Sequence, residues 1–201
     1  MTPSTVTILP SVFYFGTPVA LLSTLGPDGT ANITPISSAW ALGDMYVLGL
    51  GVGNQGTQNV LHTEELVINL ADAALASSIE RIAPTTGATD IPSAKQGRYR
   101  HASDKWRLGG LTPVPSIHVA PPRVAECPVQ LEARLVKVVP LGDGNEAVAA
   151  HVRIIACHVH DGLAVPGTNH IDLDRWQPLY YTFRHYFAQG ERVGVSFKAE
   201  Q

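Results

Sequence analysis

The sequence predicts a mainly β protein whose antiparallel strands form a barrel, accompanied by a few short helices. Short runs of β-branched and apolar residues recur along the chain and are separated by turns rich in glycine, asparagine and aspartate. One stretch of moderate length, residues 73–83, carries apolar residues at helical spacing. Strands do not alternate with helices, as a parallel sheet would require. These three observations favour an antiparallel barrel over a doubly wound sheet.

The first sixty residues predict a β-meander. Residues 17–24 form a short strand, and a tight turn of sequence Gly-Pro-Asp-Gly follows at 26–29. Residues 31–41 form a second strand and 45–50 a third, joined by a turn at 42–44. Because these connections are so short, the three strands are expected to be antiparallel neighbours.

A glycine-rich loop at 51–56 leads into the next predicted elements. Thr57 stands where a helix N-cap belongs, ahead of a short helix. A strand at 66–70 comes next, and Asp72 is a suitable N-cap for the helix at 73–83.

The second half of the chain combines one regular hairpin with long irregular connections. Residues 129–139 alternate apolar and polar side chains, which predicts a half-buried strand. A turn at 142–145 leads into a second long strand at 147–160. Residues 85–115 are irregular, and a connection of this length is usually functional or covers something. The remaining segments are an irregular connection at 161–178, a closing strand at 179–183 and a tail at 192–197.

Composition limits the classes of partner. The formal net charge is -3 and the pI about 6.2, which argues against a nucleic-acid or anionic-membrane surface. Charged residues make up 15% of the chain, against a usual share of about 25%. This low charge predicts a surface partly buried by another copy of the chain, and the alternative is a monomer with a neutral surface.

The sequence carries no sign of membrane insertion or secretion. It lacks an apolar run of about 20 residues, and residues 1–10 lack the basic and apolar parts of a signal peptide. Cys127 and Cys157 lack metal-ligand spacing and are interpreted as reduced thiols of a cytoplasmic protein. A single buried disulfide is the alternative.

Polar side chains crowd the second predicted strand. Asn32, Thr34, Ser37 and Ser38 surround Pro35, although strand interiors disfavour asparagine and proline. Such a violation of local preference is expected at functional sites. Since Pro35 removes a backbone donor, strand pairing is expected to break there and to free backbone N–H groups for a ligand. The hydroxyls add donors suited to a phosphate or a ring carbonyl.

The predicted helix start at Thr57 offers a second set of donors. Free backbone N–H groups and the helix dipole favour anions at a helix N-terminus. Thr57 adds a hydroxyl, and Gln58 and Asn59 add amides. Strand and helix could therefore hold one phosphate from two sides. The alternative is a polar edge strand followed by an ordinary capped helix.

The order of motifs along the chain resembles a known family. The motifs are residues 16–24, Gly29, Asn32, Pro35, Ser37, Ser38, Trp40, 57–59, 66–70, 103–105, 110–112, 121–128 and 157–161. This order is similar to that of the flavin reductase-like family, which has the FMN-binding split-barrel fold. The resemblance covers most of the chain, and the combined order is more specific than any single motif.

The resemblance implies an antiparallel split β-barrel in one domain, residues 1–201. It implies a homodimer with a flavin, FMN or alternatively FAD, at each of two subunit-spanning sites. Trp40 would lie near the flavin ring, or alternatively be a core aromatic residue. The implied cofactor-binding residues are Asn32, Thr34, Pro35, Ile36, Ser37, Ser38, Trp40, Leu50, Gly51, Thr57, Gln58, Asn59 and Lys105.

The sequence differs from many family members in the loop before the phosphate-binding helix. Many members carry a basic residue in the loop before the phosphate-binding helix, and here residues 51–56 contain none. Lys105, Arg98, Arg100 or a partner chain could supply the charge that neutralises the phosphate. The alternative is that these three side chains are solvated surface charges.

Two histidines share a face of the last long strand, because side chains two residues apart point the same way. His158 and His160 could suggest a metal site, but no third ligand on that face is evident, so no metal is predicted. His158 could instead contact the flavin edge or the nicotinamide, or could be purely structural.

The predicted function is that of an FMN-binding oxidoreductase. NADH or NADPH would reduce the flavin, which would pass electrons to a further acceptor. The flavin performs the redox chemistry, so the protein needs no catalytic triad. The candidate catalytic residues are Lys105, near the N1–C2 region of the flavin, and His158. The alternative is an electron-transfer flavoprotein without NAD(P)H activity, since the sequence lacks a dinucleotide fingerprint.

Overall fold

The computed structural model of the chain describes residues 3–144 and 146–199. Strands predominate and the helices are short, as predicted. The strands are β1 (Phe15–Pro18), β2 (Ala20–Leu25), β3 (Ala31–Ile36), β4 (Ala39–Leu42), β5 (Met45–Gly51), β6 (Glu65–Leu70), β7 (Thr85–Thr86), β8 (Arg100–His101), β9 (Pro113–Val114), β10 (Arg123–Val124), β11 (Val129–Leu141), β12 (Ala147–Val159), β13 (Tyr180–Thr182) and β14 (His185–Phe187). The α-helices are α1 (Gln55–Thr63), α2 (Ala76–Ile82) and α3 (Lys105–Gly109), and 3₁₀ turns lie at Ala73–Leu75, Ser93–Lys95 and Asp161–Leu163.

Seven strands form the main sheet, in the order β3-β2-β6-β11-β12-β5-β4. The edge strands β3 and β4 follow each other in the chain, and only Ser37 and Ser38 connect them. At up to about 3.6 Å per residue, this connection spans roughly 11 Å at most. The two edges of the sheet must therefore come together, and the sheet curls into a barrel whose open seam runs beside Ser37 and Ser38. The predicted antiparallel split barrel is confirmed.

The predicted meander has the correct neighbouring strand pairs, but the predicted order of the strands across the sheet is wrong. Strands β2 and β3 pair, and so do β4 and β5, but β5 pairs with β12 on its other side. The chain changes from one sheet edge to the other at Ser37 and Ser38, so the run at 31–41 is two strands rather than one. The pairing of β2 with β3 continues through Leu21↔Pro35, so the predicted break at Pro35 is also wrong. Proline is tolerated there because β3 is an edge strand.

The predicted hairpin is confirmed. Strands β11 and β12 pair from Val129↔Val159 to Leu141↔Ala147. Asn145, in the predicted turn, lies outside the described residues. The expectation of one solvent-facing side is wrong for the start of β11, because Gln130 and Glu132 are buried together with their apolar neighbours.

Apolar side chains form one cluster inside the barrel and a second outside it. Residues of β2 alternate between the two, with Leu22 in the inner cluster and Leu21 in the outer one. Ile79 and Ile82 of α2 are fully buried in the outer cluster, each contributing about 1.5–3 kcal/mol by burial. The predicted N-cap Asp72 is confirmed, since its carboxylate accepts from Ala74 N at 2.8 Å. Helices α2 and α3 are thereby fixed close to β3.

No helix in the described part of the chain is long and apolar enough to cross a membrane.

Candidate functional site

A cavity of about 280 Å³, here named the seam cavity, lies at the end of β3 beside the open seam. Residues 34–37 line one side of it. Residues 85–105, the first part of the irregular connection predicted at 85–115, supply another side. Strand β7 pairs in parallel with β8, which brings the ends of residues 87–99 together over the site. The lining comprises Tyr14, Val19, Thr34, Pro35, Ile36, Ser37, Asn54, Gln55, Ile79, Glu80, Ala83, Thr85, Thr86, Lys95, Tyr99, Lys105, Tyr181 and Tyr186.

Lys105 is a buried cation in this cavity. It opens helix α3, whose N-cap Asp104 accepts from Arg107 N at 2.9 Å. Its Nζ donates to the carbonyl of Ile33 at 2.9 Å, a backbone group of β3, and the side chain is only 5% exposed. Burial, with a smaller contribution from the positive charge of Lys95, lowers the pKa of Lys105 to about 8. An anion in the cavity would favour the charged form of this amine.

Lys95 is a second cation in the cavity, and the sequence analysis did not identify it. It ends the 3₁₀ turn Ser93–Lys95, and its Nζ lies 5.1 Å from the centre of the Tyr99 ring. Burial lowers its pKa. Two lysines of segment 85–105 thus line this cavity, whereas loop 51–56 has no basic residue. Arg98 and Arg100 are exposed and line neither this cavity nor the one described below.

Tyrosine rings form an apolar wall with polar edges. Tyr14 packs edge-on against Tyr181 at 5.5 Å, and Tyr181 lies 5.6 Å from Tyr186. The small sheet β1-β13-β14 positions these rings. The hydroxyl of Tyr186 donates to Glu80 at 2.7 Å, and burial together with this hydrogen bond raises its pKa. Such a wall suits a flat aromatic ligand.

A second cavity of about 480 Å³, here named the turn cavity, adjoins the seam cavity. Gln55 and Lys105 line both. The predicted residues Asn32 and Asn59 lie in the turn cavity rather than the seam cavity. Its lining comprises Gly26, Pro27, Asp28, Thr30, Ala31, Asn32, Gln55, Asn59, Gly87, Thr89, His101, Ala102, Ser103 and Lys105.

Helix α1 begins three residues earlier than predicted. Asn54 is the N-cap, so the assignment of Thr57 as N-cap is wrong. Thr57 is buried, and its hydroxyl donates to the Gly51 carbonyl at 2.8 Å, which ties the loop to the helix. Gly56 allows β3 to approach closely, because a Cβ there would overlap the Thr34 hydroxyl.

The structure brings together only part of the predicted cofactor-binding set. Thr34, Pro35, Ile36, Ser37 and Lys105 line the seam cavity. Ser38 stands just behind it, with its hydroxyl 2.8 Å from that of Tyr14. Like Ser38, five further predicted residues line neither cavity within a single chain, and the contact of all six with a flavin stays a prediction. The five are Trp40, Leu50, Gly51, Thr57 and Gln58.

His158 is engaged away from both cavities. Its Nε2 lies 2.7 Å from Oε1 of the buried Glu132. His160 Nε2 lies 2.8 Å from the Ala125 carbonyl. A contact between His158 and the flavin stays a prediction. Among residues 3–144 and 146–199, no three His, Cys, Asp or Glu side chains cluster as metal ligands.

The curled sheet, with its seam and the adjoining cationic cavity, defines a split-barrel protein. The chain belongs to the flavin reductase-like family, because the family model described as "Flavin reductase like domain" matches residues 12–190. This membership makes it a flavin-related oxidoreductase.

Similarities to individual proteins extend over almost the whole chain. The chain is 42% identical over 195 residues to protein YdfE of Bacillus subtilis (strain 168), covering 96% of this chain and 93% of the relative. Its fold is similar to flavoredoxin of Desulfovibrio vulgaris (Miyazaki F), with a TM-score of 0.80, 19% identity and coverage of 98% and 99% of the two chains. Nitrilotriacetate monooxygenase component B from Bacillus cereus gives a TM-score of 0.76 at 19% identity, covering 96% of this chain and 100% of the other.

Proposed function

We propose that the protein binds FMN in the seam cavity and catalyses its reduction by NADH or NADPH, passing the electrons to a further acceptor. The observation that carries this proposal is the pair Lys95 and Lys105, facing one cavity together with hydroxyl groups and a tyrosine wall. A phosphorylated, flat aromatic cofactor needs these three kinds of partner. Bound FMN would supply the hydride and electron-transfer chemistry.

The donor set of the cavity fits the phosphate of FMN. Lysine is a good partner for phosphate as a point charge, and hydroxyls add neutral donors. The hydroxyls available on the lining are those of Thr34, Ser37 and Thr86. The Thr85 hydroxyl, by contrast, already donates to the Ile82 carbonyl at 2.6 Å.

The lining also fits the ring. Tyrosine rings and the apolar side chains of Val19 and Ile79 would pack on its faces. The backbone of β3 stands at a sheet edge, so its outward N–H and C=O groups have no strand partner there and can meet the polar rim of the ring. Lys105 is the candidate to stabilise negative charge on the reduced cofactor, since it lies beside this edge.

The function is tested by adding FMN to flavin-free protein and mixing the complex with NADH or NADPH in the absence of oxygen. We expect binding in the micromolar range and rapid loss of the visible flavin absorbance with at least one nucleotide. Binding no better than millimolar would contradict the proposal. Tight flavin binding without rapid bleaching by either nucleotide would support the alternative, an electron-transfer protein reduced by another protein.

We further propose a homodimer. The edge strand β4 carries Trp40 and Leu42, which are 57% and 74% exposed. The N-terminal segment adds exposed Val6, Leu9 and Phe13. Exposed apolar side chains in this number, in a chain with so few charges, are typical of a protein–protein interface. We also propose a cytoplasmic location, where the free thiols of the chain would stay reduced.

Leu42→Glu should convert the dimer into monomers, because a charge would be buried without a partner in the interface. Light scattering coupled to size-exclusion chromatography at micromolar concentration measures this directly. Leu173→Glu, at a similarly exposed leucine of an irregular segment, is the control and should leave the mass unchanged. A wild-type protein that elutes as a monomer would disprove the dimer.

A further inference from the structure

The turn cavity is the larger of the two cavities, and the proposed FMN site does not use it. It meets the seam cavity at Gln55 and Lys105. Lys105 therefore stands at the junction, with its ammonium group able to serve ligands on either side. A ligand with two bulky ends and an anionic middle would fit two cavities joined at a cation.

Two side-chain amides of the turn cavity, those of Gln55 and Asn32, present acceptor oxygens. The side-chain amide of Gln55 donates through Nε2 to Asn59 Oδ1 at 2.8 Å, which leaves its Oε1 as an acceptor. Asn32 donates through Nδ2 to Thr34 Oγ1 at 3.0 Å, and its Oδ1 lies against Gly87, where a Cβ would come within 2.6 Å. These amides call for a ligand that donates hydrogen bonds.

His101 adds another acceptor. Its Nδ1 lies 3.0 Å from the Ala88 carbonyl oxygen. A carbonyl oxygen only accepts, so Nδ1 is the donor of this hydrogen bond, and in the tautomer protonated at Nδ1 the other ring nitrogen, Nε2, is an acceptor. The ring is exposed at the edge of the cavity, where an incoming ligand can reach it.

Asp28 brings a negative charge to the same cavity. Its carboxylate accepts from Thr30 N at 3.0 Å and from Thr30 Oγ1 at 2.8 Å. These hydrogen bonds lower its pKa, so it is charged at neutral pH. Each carboxylate oxygen can accept a further hydrogen bond from a hydroxyl, whereas a phosphate at the same place would be repelled.

We propose that the turn cavity binds the adenosine half of a dinucleotide whose pyrophosphate passes Lys105, and that Asp28 excludes a 2′-phosphate. Adenosine offers the donors that the acceptors require, namely its amino group and two ribose hydroxyls. The dinucleotide is either FAD, with its flavin in the seam cavity, or NADH bound beside FMN. This inference rests on the proposed function for its cofactors.

The first experiment measures AMP binding to flavin-free protein by calorimetry, with inorganic phosphate as the comparison ligand. AMP should bind at least about tenfold more tightly than phosphate, because the adenosine adds contacts worth some 1.4 kcal/mol or more. His101→Ala should remove most of this advantage. His160→Ala is the matched control, since His160 also places a ring nitrogen against a backbone carbonyl but lines neither cavity. Equal affinities for AMP and phosphate would overturn the proposal.

The second experiment tests Asp28 with adenosine 2′,5′-bisphosphate. It should bind about tenfold or more weakly than AMP, and Asp28→Asn should bring the two affinities together. Asparagine keeps one acceptor oxygen for Thr30, so the turn should stay folded. Asp143→Asn, on the turn after β11, serves as control. An affinity ratio that does not move in the Asp28 variant would contradict its role in selection.

Two further arms identify the dinucleotide. FAD binding more tightly than FMN, with the difference lost in His101→Ala, assigns the cavity to FAD. If FMN-loaded protein binds NADH more tightly than it binds reduced nicotinamide mononucleotide, and His101→Ala removes this difference, the cavity is assigned to NADH. No advantage of either dinucleotide would overturn the inference. Failure of FMN to bind at all would instead count against the proposed function, because AMP binding is measured without flavin.

Discussion

Lys105→Met should weaken FMN binding by roughly 10- to 100-fold, because a hydrogen bond to a charged partner contributes about 1.5–3 kcal/mol. Lys105 is the buried cation of the seam cavity, and its ammonium group is held in place by the Ile33 carbonyl at 2.9 Å. Fluorescence titration of flavin-free protein with FMN measures the effect. Lys137→Met, at an exposed lysine of β11, is the control and should bind FMN like the wild type.

Loss of Lys105 also leaves the Ile33 carbonyl without its donor, so stability must be measured in parallel. Urea unfolding separates a folded protein with weak affinity from an unfolded one. Lys105→Arg keeps the charge and a donor, and should recover part of the affinity. If the folded methionine variant bound FMN as tightly as the wild type, Lys105 would not be the phosphate partner.

The pH dependence of binding follows from the same lysine. Its pKa is about 8 in the free protein, and a bound phosphate would raise it. Above pH 8, Lys105 is largely neutral in the free protein and must take up a proton when FMN binds. The affinity for FMN should therefore fall by up to about tenfold per pH unit, until the pH exceeds the raised pKa of Lys105 in the complex. In Lys105→Met this slope should disappear.

The sequence predicted the elements whose signals are local. Strand β11, the turn that begins at Gly142 after it and the Asp72 cap are each signalled within a few residues, and all three are present. The order of strands could not be predicted in this way. The partner of β5 is β12, about a hundred residues further along the chain. The change of sheet edge at Ser37 and Ser38 leaves no signal of its own, because the two serines are compatible with a continuous strand.

The sequence predicted those site residues that violate local strand preferences, and it missed those whose place in the site depends on tertiary packing. The polar residues around Pro35 violate strand preferences, and two of them, Thr34 and Ser37, line the seam cavity. Lys95 sits in an irregular segment without periodicity, so its place beside Lys105 follows only from how residues 85–105 fold over β3. Thr57 shows the opposite error. A good N-cap residue is used here as the third residue of the helix, since Asn54 already occupies the cap.

Glu132 is the residue whose loss should destabilise the fold most. Its carboxylate is fully buried and accepts from the backbone N–H groups of Ile117, His118 and Val119 at 2.8, 2.6 and 3.1 Å. His158 Nε2 approaches it at 2.7 Å. Burial acts to raise the pKa of Glu132, but these hydrogen bonds and the histidine outweigh it, so the pKa lies below its usual value. This carboxylate thus holds residues 117–119 against the start of β11 through three hydrogen bonds. Because this segment covers the side of the strand that carries Glu132, β11 is buried on both faces there.

Glu132→Ala should lower the free energy of unfolding by about 3–5 kcal/mol, because it removes the acceptor of three backbone donors, of which that of Val119 is buried and those of Ile117 and His118 are partly buried. Glu132→Gln keeps one acceptor oxygen and should cost less. Glu126→Ala is the control, since Glu126 accepts a single hydrogen bond, from Thr112 N, at a more exposed position, and it should change stability by no more than about 1 kcal/mol. Urea unfolding followed by tryptophan fluorescence measures all three.

The wild type should also lose stability in acid through this carboxylate. A lowered pKa in the folded state means that Glu132 stabilises the fold above the usual glutamate pKa, and that this contribution is lost as the pH falls towards the folded-state value. The alanine variant should therefore differ most from the wild type near neutral pH, and the two curves should converge below about pH 4. A constant difference across that range would mean that Glu132 acts through packing alone, since packing does not depend on its ionisation.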